Sequence, residues 1–303
     1  MNNCLPIARS AAVAVLSVLF VMSISAAAQT LPAKDQQERK VTVVPSQEKK
    51  FIANILDDQR AIWTAPFHWR RSDAKWIAPL GLSTLALVAS DRSTSSELVE
   101  HGDNLTRLRF SKDISRFGSL YSTAGVAGAL YLTGRMKHND RLRETGLLGA
   151  EALIDSTIVS STLKFASQRQ RPFADHSSGE FFDGGGSFPS GHATSAWSLA
   201  TVIAEEYGRH RPLVQLGAYG LATAVSISRY TGRNHFLSDV LVGSALGYGV
   251  GRYVYHKRHD LALDALNETE RKGNFVQSKL FPRVAPLYIP RAHVYGGMLA
   301  WNF

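Results

Sequence analysis

A single cysteine, Cys4, lies among the 303 residues, within the first thirty positions. That leaves the body of the chain without a thiol nucleophile, a thiolate metal site or a disulfide framework. Sustained apolar/polar alternation of period two is missing, which argues against a core built of sheets. No recognisable H-E-x-x-H motif is present to hold a zinc ion. Long hydrophobic runs are scarce as well. Most apolar stretches fall short of the roughly 20 residues of a bilayer span or are broken by Glu151, Asp155, Glu205, Glu206 or Asp239. A soluble or peripherally bound domain is therefore expected rather than a six-span membrane protein. With 45% apolar and 19% charged residues, the chain is neither a disordered tail nor a miniprotein.

The N-terminus has the layout of a secretory signal peptide: Arg9, an apolar run over 11–24, then Ser25, Ala26, Ala27, Ala28 and Gln29. Export to the periplasm or cell envelope is expected, with residues 1–28 removed; the alternative reading of the same stretch is an uncleaved anchor. Formal charge is +9, and loss of the leader takes away only Arg9. A strongly basic chain favours anionic partners. Its charges are scattered rather than striped, so phosphate esters and anionic lipid surfaces are expected and nucleic acid is not.

Residues 29–50 are polar and little structure is expected there. In 51–75, Phe51, Ile52, Ile55, Leu56, Ile62, Trp63, Phe67 and Trp69 alternate with Arg60, Arg70, Arg71 and Lys75. Such a segment suits a membrane surface or the cap of a helical core. Apolar stretches at 76–90, 120–133, 145–165, 193–207, 213–228 and 236–255 predict six helices in an all-α bundle spanning 76–260. In the extension 261–303, Leu299, Trp301 and Phe303 alternate, which predicts a short β segment.

Three clusters carry the groups that phosphoryl transfer needs. Lys164 and Arg171, followed by Pro172, are seven apart, about two turns, so both cations are expected on nearly one face of a helix that Pro172 ends. Alone they could be ordinary partners of a helix C-terminus. Pro189, Ser190, Gly191 and His192 follow the glycines 184–186 and open a helix, where unpaired N–H groups, a hydroxyl and an imidazole titrating near neutrality can meet an oxyanion. An N-cap beside a surface histidine would look the same. Ser228, Arg229, His235 and Asp239 form the third cluster. The four-residue offset puts His235 and Asp239 on one helical face, where the carboxylate can fix the imidazole tautomer; it would also suit a surface pair.

Together they read K-x6-R-P, P-S-G-H and S-R-x5-H-x3-D. This resembles the signature of the type 2 phosphatidic acid phosphatase (PAP2) superfamily, which includes bacterial acid phosphatases, lipid phosphate phosphatases and vanadium haloperoxidases. The resemblance covers 120–255. It implies a six-helix core in which Lys164, Arg171, Arg229, Ser190 and the N–H of Gly191 bind phosphate oxygens. It also implies His235 as nucleophile, His192 as acid and then base, and Asp239 as the group holding His235. Three cations with N–H donors supply positive charge without a metal.

The expected activity is hydrolysis of phosphate monoesters or diphosphates, lipid-linked ones included, with no cofactor and with vanadate as a phosphate-mimicking inhibitor. Two alternatives carry distinct expectations: a vanadium-dependent haloperoxidase, with vanadate as cofactor, and a non-catalytic envelope protein that binds anions. His68, His101, His138, His176, His210, His256, His259 and His293 are expected to serve surface or packing roles. Asp175, Glu180 and Asp183 are read as solvated loop charges.

Overall fold

A computed structural model describes residues 43–100, 105–172, 179–208, 211–260 and two strands, 283–289 and 294–300. The predicted signal peptide lies outside the described residues. The chain divides into two compact units, Met1–His259 and Asp260–Phe303.

The first unit is helical. Its α-helices are α1 (Val43–Thr64), α2 (Ala74–Glu100), α3 (Leu105–Ser115), α4 (Leu120–Met136), α5 (Asp140–Ser167), α6 (Gly191–Gly208), α7 (Pro212–Thr231) and α8 (Leu237–Arg258), with 3-10 turns at Ala65–His68, Arg71–Asp73 and Arg116–Gly118. The six predicted helices are all present, as α2 and α4 to α8.

Their boundaries follow local chemistry. Ser119 accepts a bond from the Ser122 N–H at 3.2 Å to start α4, and Asn139 accepts from Leu142 N at 2.9 Å to start α5. Pro212 sits in the first turn of α7, where its missing N–H costs nothing.

Two helices correct the sequence reading. The leader predicted to lack structure is helical from Val43, because polar side chains of α1 fasten it to the bundle. Arg143 donates to both carboxylate oxygens of Glu48, at 2.7 and 2.6 Å, and Arg258 donates to Asp58 at 2.7 Å. Helix α3 buries only Ser111 and Ser115, so it has no apolar stripe to reveal it.

The main core lies between α4, α5, α6 and α7, where Ala127, Leu130, Leu153, Leu199, Ile203 and Val225 pack together. A second cluster of Leu148, Ala152, Val202, Val250 and Val254 joins α8 to α5 and α6. Close approach of α8 to α6 depends on missing side chains: a Cβ on Gly247 would stand 2.2 Å from the Thr194 carbonyl oxygen, and one on Gly243 2.6 Å from that of Ser190. This contact presses the start of α8 against the start of α6.

The second unit contains an antiparallel hairpin, β1 (Arg283–Ile289) with β2 (Val294–Ala300), in register from Arg283↔Ala300 to Ile289↔Val294. Pro286 is tolerated because both strands of a two-stranded ribbon are edges. The expected β segment at Leu299 thus belongs to β2, while Trp301 and Phe303 lie outside the described residues.

Candidate active site

The three clusters meet where α5 ends, α6 begins and α7 turns into α8. Helix α5 stops because Gln168 adopts a left-handed conformation, φ 44° and ψ 35°, while its N–H still reaches the Lys164 carbonyl at 3.0 Å. Lys164 therefore sits in the last helical turn and Arg171 beyond it, exposed. The expectation that both project from one helical face is corrected: seven residues here span a helix end, with Pro172 keeping Arg171 out of the helix.

The loop 179–190 runs back along 167–170. Phe182 N donates to Ser167 O at 2.8 Å, Gln170 N to Glu180 O at 2.9 Å, and Ser187 N to Arg169 O at 2.9 Å. This return brings Ser190 to the front of α6. Gly185 is required there, since a Cβ would stand 2.1 Å from the Arg169 carbonyl oxygen. Lys164 Nζ donates to Gly186 O at 3.1 Å and also to Pro189 O, fixing the ammonium beside the loop. Asp175 lies outside the described residues.

Ser190 N donates to the Asp239 carbonyl at 2.9 Å, which ties the start of α6 to α8. Its hydroxyl is fully buried and has no hydrogen-bond partner among the described residues. The same holds for Nε of Arg229, a residue 8% exposed in the last turn of α7. Leaving a buried donor unsatisfied costs about 1–3 kcal/mol, so such groups suit an incoming acceptor. Gly191 is the first residue of α6, and its N–H is one of those the helix cannot satisfy.

His235 does not lie within the helix, as the four-residue offset suggested. It precedes α8, its N–H bonded to the Arg229 carbonyl at 3.2 Å. Asp239, in the first turn, accepts from Phe236 N at 2.9 Å and from the Ser187 hydroxyl at 2.5 Å, both through Oδ2. His235 Nδ1 stands 3.6 Å from that oxygen and 3.4 Å from Ser187 Oγ. Ser187 therefore bridges the pair. Sequence reasoning missed it, although it stands three residues before Ser190.

The pocket is electrostatically crowded. Burial, then Arg171 and Arg229, push Lys164 down to about 8. Burial and Arg171 push Arg229 down to about 10. His192 falls to about 3 through burial and the charges of Arg229, His235, Lys164 and Arg171, so the expected titration near neutrality does not hold. His235 falls to about 4 because burial outweighs the pull of Asp239. For Asp239, burial raises the carboxyl but is outweighed by His235, Arg169 and Ser187, and the group stays below its ordinary range. Both histidines are thus neutral at pH 7 beside three cations, an arrangement that an anion would relieve.

Two other groups of side chains are close enough to share a cation: Glu144, Glu206 and His259, and Asp58, Glu151 and Asp155. Neither includes a residue of this pocket. Both adjoin the C-terminal end of α8, about 30 Å along that helix from its first turn. Protein cations already meet them, Arg141 at Glu206 and Arg258 at Asp58.

Residues 145–262 match the sequence model of the PAP2 superfamily. Lipid A 1-phosphatase of Porphyromonas gingivalis is 30% identical over 162 residues, half of this chain, and the chain spans 34% of that relative's length. Among solved structures, the transmembrane PAP2-type phosphatidylglycerolphosphate phosphatase from Bacillus subtilis aligns with 27% identity over 60% of this chain and 96% of its own, at a TM-score of 0.46. LpxE of Aquifex aeolicus aligns with 20% identity over 54% and 93%, at 0.39. Helices α1 to α4 precede the PAP2 stretch, which begins inside α5.

Proposed function

We propose that this protein is a metal-independent phosphatase that hydrolyses lipid-linked phosphate monoesters or diphosphates through a phosphohistidine on His235. The observation that carries this reading is the gathering of Lys164, Arg229 and two unpartnered buried donors, Ser190 Oγ and Arg229 Nε, with two neutral histidines.

In this reading the phosphate oxygens take the bonds that Ser190, Arg229 and the first N–H groups of α6 lack, with Lys164 and Arg171 supplying charge. Nδ1 of His235 faces Ser187 and Asp239, which leaves Nε2 as the attacking atom. The Nε2–P bond forms as the bond from phosphorus to the leaving oxygen breaks, and that oxygen takes a proton from His192. His192 then removes a proton from water, which attacks phosphorus, breaks the N–P bond and releases inorganic phosphate.

Two features support a lipid substrate. An apolar cavity of about 240 Å³ lies between α4, α6, α7 and the 3-10 turn at Arg116–Gly118, lined by Phe117, Val126, Leu199, Ile203 and Val225 among others. Gly118 packs against both Val225 and the backbone of His192, so this apolar wall adjoins the pocket. Helix α1 and the turns after it also expose a large apolar and aromatic surface, although Ile55 is buried and Ile62 packs on the second core cluster. Asn54 and Asp58 are buried, whereas Ile52, Leu56, Trp63, Phe67, Trp69 and Trp76 are exposed, Phe67 by 85%. Apolar and aromatic groups beside Arg60, Arg70, Arg71 and Lys75 suit peripheral contact with an anionic membrane in the envelope of an exported protein. No helix among the described residues is long and apolar enough to cross a membrane.

The test is phosphate release from an aryl phosphate and a lipid phosphate with chelator present, comparing the chain with His235→Ala. Chelator-resistant turnover, preference for the lipid and abolition by the substitution are expected, with an acid-labile phosphoryl group trapped on the unsubstituted chain. Turnover that survives His235→Ala, or halide oxidation on adding vanadate in place of ester hydrolysis, would overturn the proposal.

A further inference from the structure

Arg169 occupies an unspecified position inside K-x6-R-P, yet it is among the largest fully buried side chains, 1% exposed. Its guanidinium is held on every side. Nε donates to the Gly179 carbonyl at 3.0 Å, Nη1 to Ser238 Oγ at 2.6 Å and to Asp239 Oδ1 at 2.7 Å, and Nη2 to Asp91 Oδ2 at 2.9 Å. Phe181 and Phe236 flank it, their ring centres 4.7 and 4.3 Å from Cζ. Asp91 comes from α2, outside the PAP2 stretch, and also receives Ser238 N at 3.3 Å and the Ser238 hydroxyl.

A buried cation of this kind is expensive unless each charge is paired and each N–H used. Here one guanidinium serves two buried carboxylates, and only one of those touches the site. Asp239 presents Oδ1 to Arg169 and Oδ2 to Ser187, Phe236 N and His235. The fork therefore sets the plane of the carboxylate that faces the imidazole.

We infer that Arg169, braced by Asp91, is a positioning residue that holds Asp239 ionised and turned toward His235. It rests on the phosphatase reading for its kinetic consequence. Arg169 touches no substrate; it acts through Asp239. Without it, Asp91 and Asp239 would be two buried carboxylates with no cation between them. The charged and titratable groups facing Asp239 are Arg169 beyond α5, Lys164 in its last turn, His235 before α8 and, through Arg169 and Ser238, Asp91 of α2. Removing the nearest cation leaves desolvation and a like charge, which both drive Asp239 toward protonation, and a protonated Asp239 no longer fixes the Nδ1–H tautomer.

The experiment compares Arg169→Gln, Arg169→Lys and Asp91→Asn with the unsubstituted chain across pH, with far-UV circular dichroism as the folding control. In Arg169→Gln, kcat should fall about 10–100-fold, as for an outer-shell partner. KM for an aryl phosphate and the inhibition constant of inorganic phosphate should stay within about threefold, since Arg169 is not in the pocket. The acid limb of kcat should move up by about one pH unit or more, so the deficit is largest at low pH. Arg169→Lys should keep the limb while lowering kcat, because it retains the charge and loses the fork. Asp91→Asn leaves the cation on Asp239 and should lose less than Arg169→Gln.

A folded Arg169→Gln with unchanged kcat and limb overturns the inference, as does a loss expressed in KM alone. If Arg169→Gln does not fold, the Arg169→Lys limb decides it, a shifted limb counting against the inference. If the unsubstituted chain hydrolyses no ester, the phosphatase reading fails instead. The positioning role is then read from the 15N shifts of His235, expected as the Nδ1–H tautomer in the unsubstituted chain and mixed in Arg169→Gln; identical shifts in both would refute it.

Discussion

Lys164 offers a sharp test of how the pocket is poised. Its ammonium is mostly buried, with Arg171 and Arg229 nearby, and its pKa falls from the ordinary 10.5 to about 8. That difference is about 3 kcal/mol against the charged form. The sign follows directly: Lys164 is charged below about pH 8 and neutral above it. Because kcat/KM reports the free enzyme, loss of the Lys164 proton should steepen its fall by a further tenfold per pH unit above about pH 8, an added loss of about 30-fold by pH 9.5, on top of the slope set by the proton that His192 takes up with substrate. Phosphate bound beside the ammonium favours its charged form, so the corresponding limb of kcat should lie at higher pH. Lys164→Arg replaces the group by one that stays charged over this range. Its overall rate will drop, since Nζ is placed between the Gly186 and Pro189 carbonyls, but its alkaline limb should move beyond about pH 9. The assay is release of phosphate from an aryl phosphate at subsaturating concentration, with inhibition by inorganic phosphate measured in parallel. A profile that does not steepen near pH 8 in the unsubstituted chain, or a break that stays near pH 8 in Lys164→Arg, would refute the assignment.

Two further expectations concern stability. Burial and Asp58 raise Glu151 to about 8 against the pull of Arg258, and burial raises Asp155 to about 6. A folded pKa above the unfolded value means that the contribution of Glu151 is complete below about pH 4.5 and lost as pH rises through about 8. Glu151→Gln should therefore melt increasingly above the unsubstituted chain between about pH 5 and 8 in differential scanning fluorimetry; a constant offset would contradict this. Gly247→Ala should destabilise by about 1–3 kcal/mol, since its Cβ meets the Thr194 carbonyl oxygen at 2.2 Å. Gly249→Ala, two residues on and with nothing within 4 Å, should be neutral or stabilising; equal melting of the two variants would show that the glycine contact does not set the α6–α8 spacing.

What the sequence reveals depends on where the information sits. Helices α2 and α4 to α8 are legible because each is a continuous apolar stretch, and α4 to α8 are all drawn on by the two core clusters. Only the start of α1, residues 43–50, escapes notice, because polar contacts help hold the helix beside Ile55 and Ile62: Glu48, Asp58 and Gln59 meet Arg143, Arg258 and Asp155. The pocket residues are legible because their three clusters together resemble the PAP2 signature; each cluster alone also has an ordinary structural reading. Arg171 is misplaced by its spacing from Lys164, since the left-handed residue that ends α5 is a glutamine rather than the glycine that would announce it. Asp91 could not be found at all. Its importance lies in contacts to Arg169 and Ser238, more than seventy residues away, and no local pattern encodes them.

The depressed pKa of His192 bears on the order of events rather than against its role. A group at about 3 cannot donate a proton at pH 7, and a leaving oxygen requires one. Burial and four neighbouring positive or titratable groups lower it, and a phosphate dianion placed among Lys164, Arg171 and Arg229 opposes those same charges. In the proposed mechanism, binding the substrate thus raises the pKa of His192 and draws in the proton that the first step consumes. In the same mechanism, once phosphorus has passed to His235 and the alcohol has left, His192 is neutral again and can serve as the base for water. His235 needs no such change, because burial already keeps it neutral and nucleophilic. On this view the three cations do two things at once: they bind the phosphate, and they keep the acid unprotonated until a phosphate is there to be protonated.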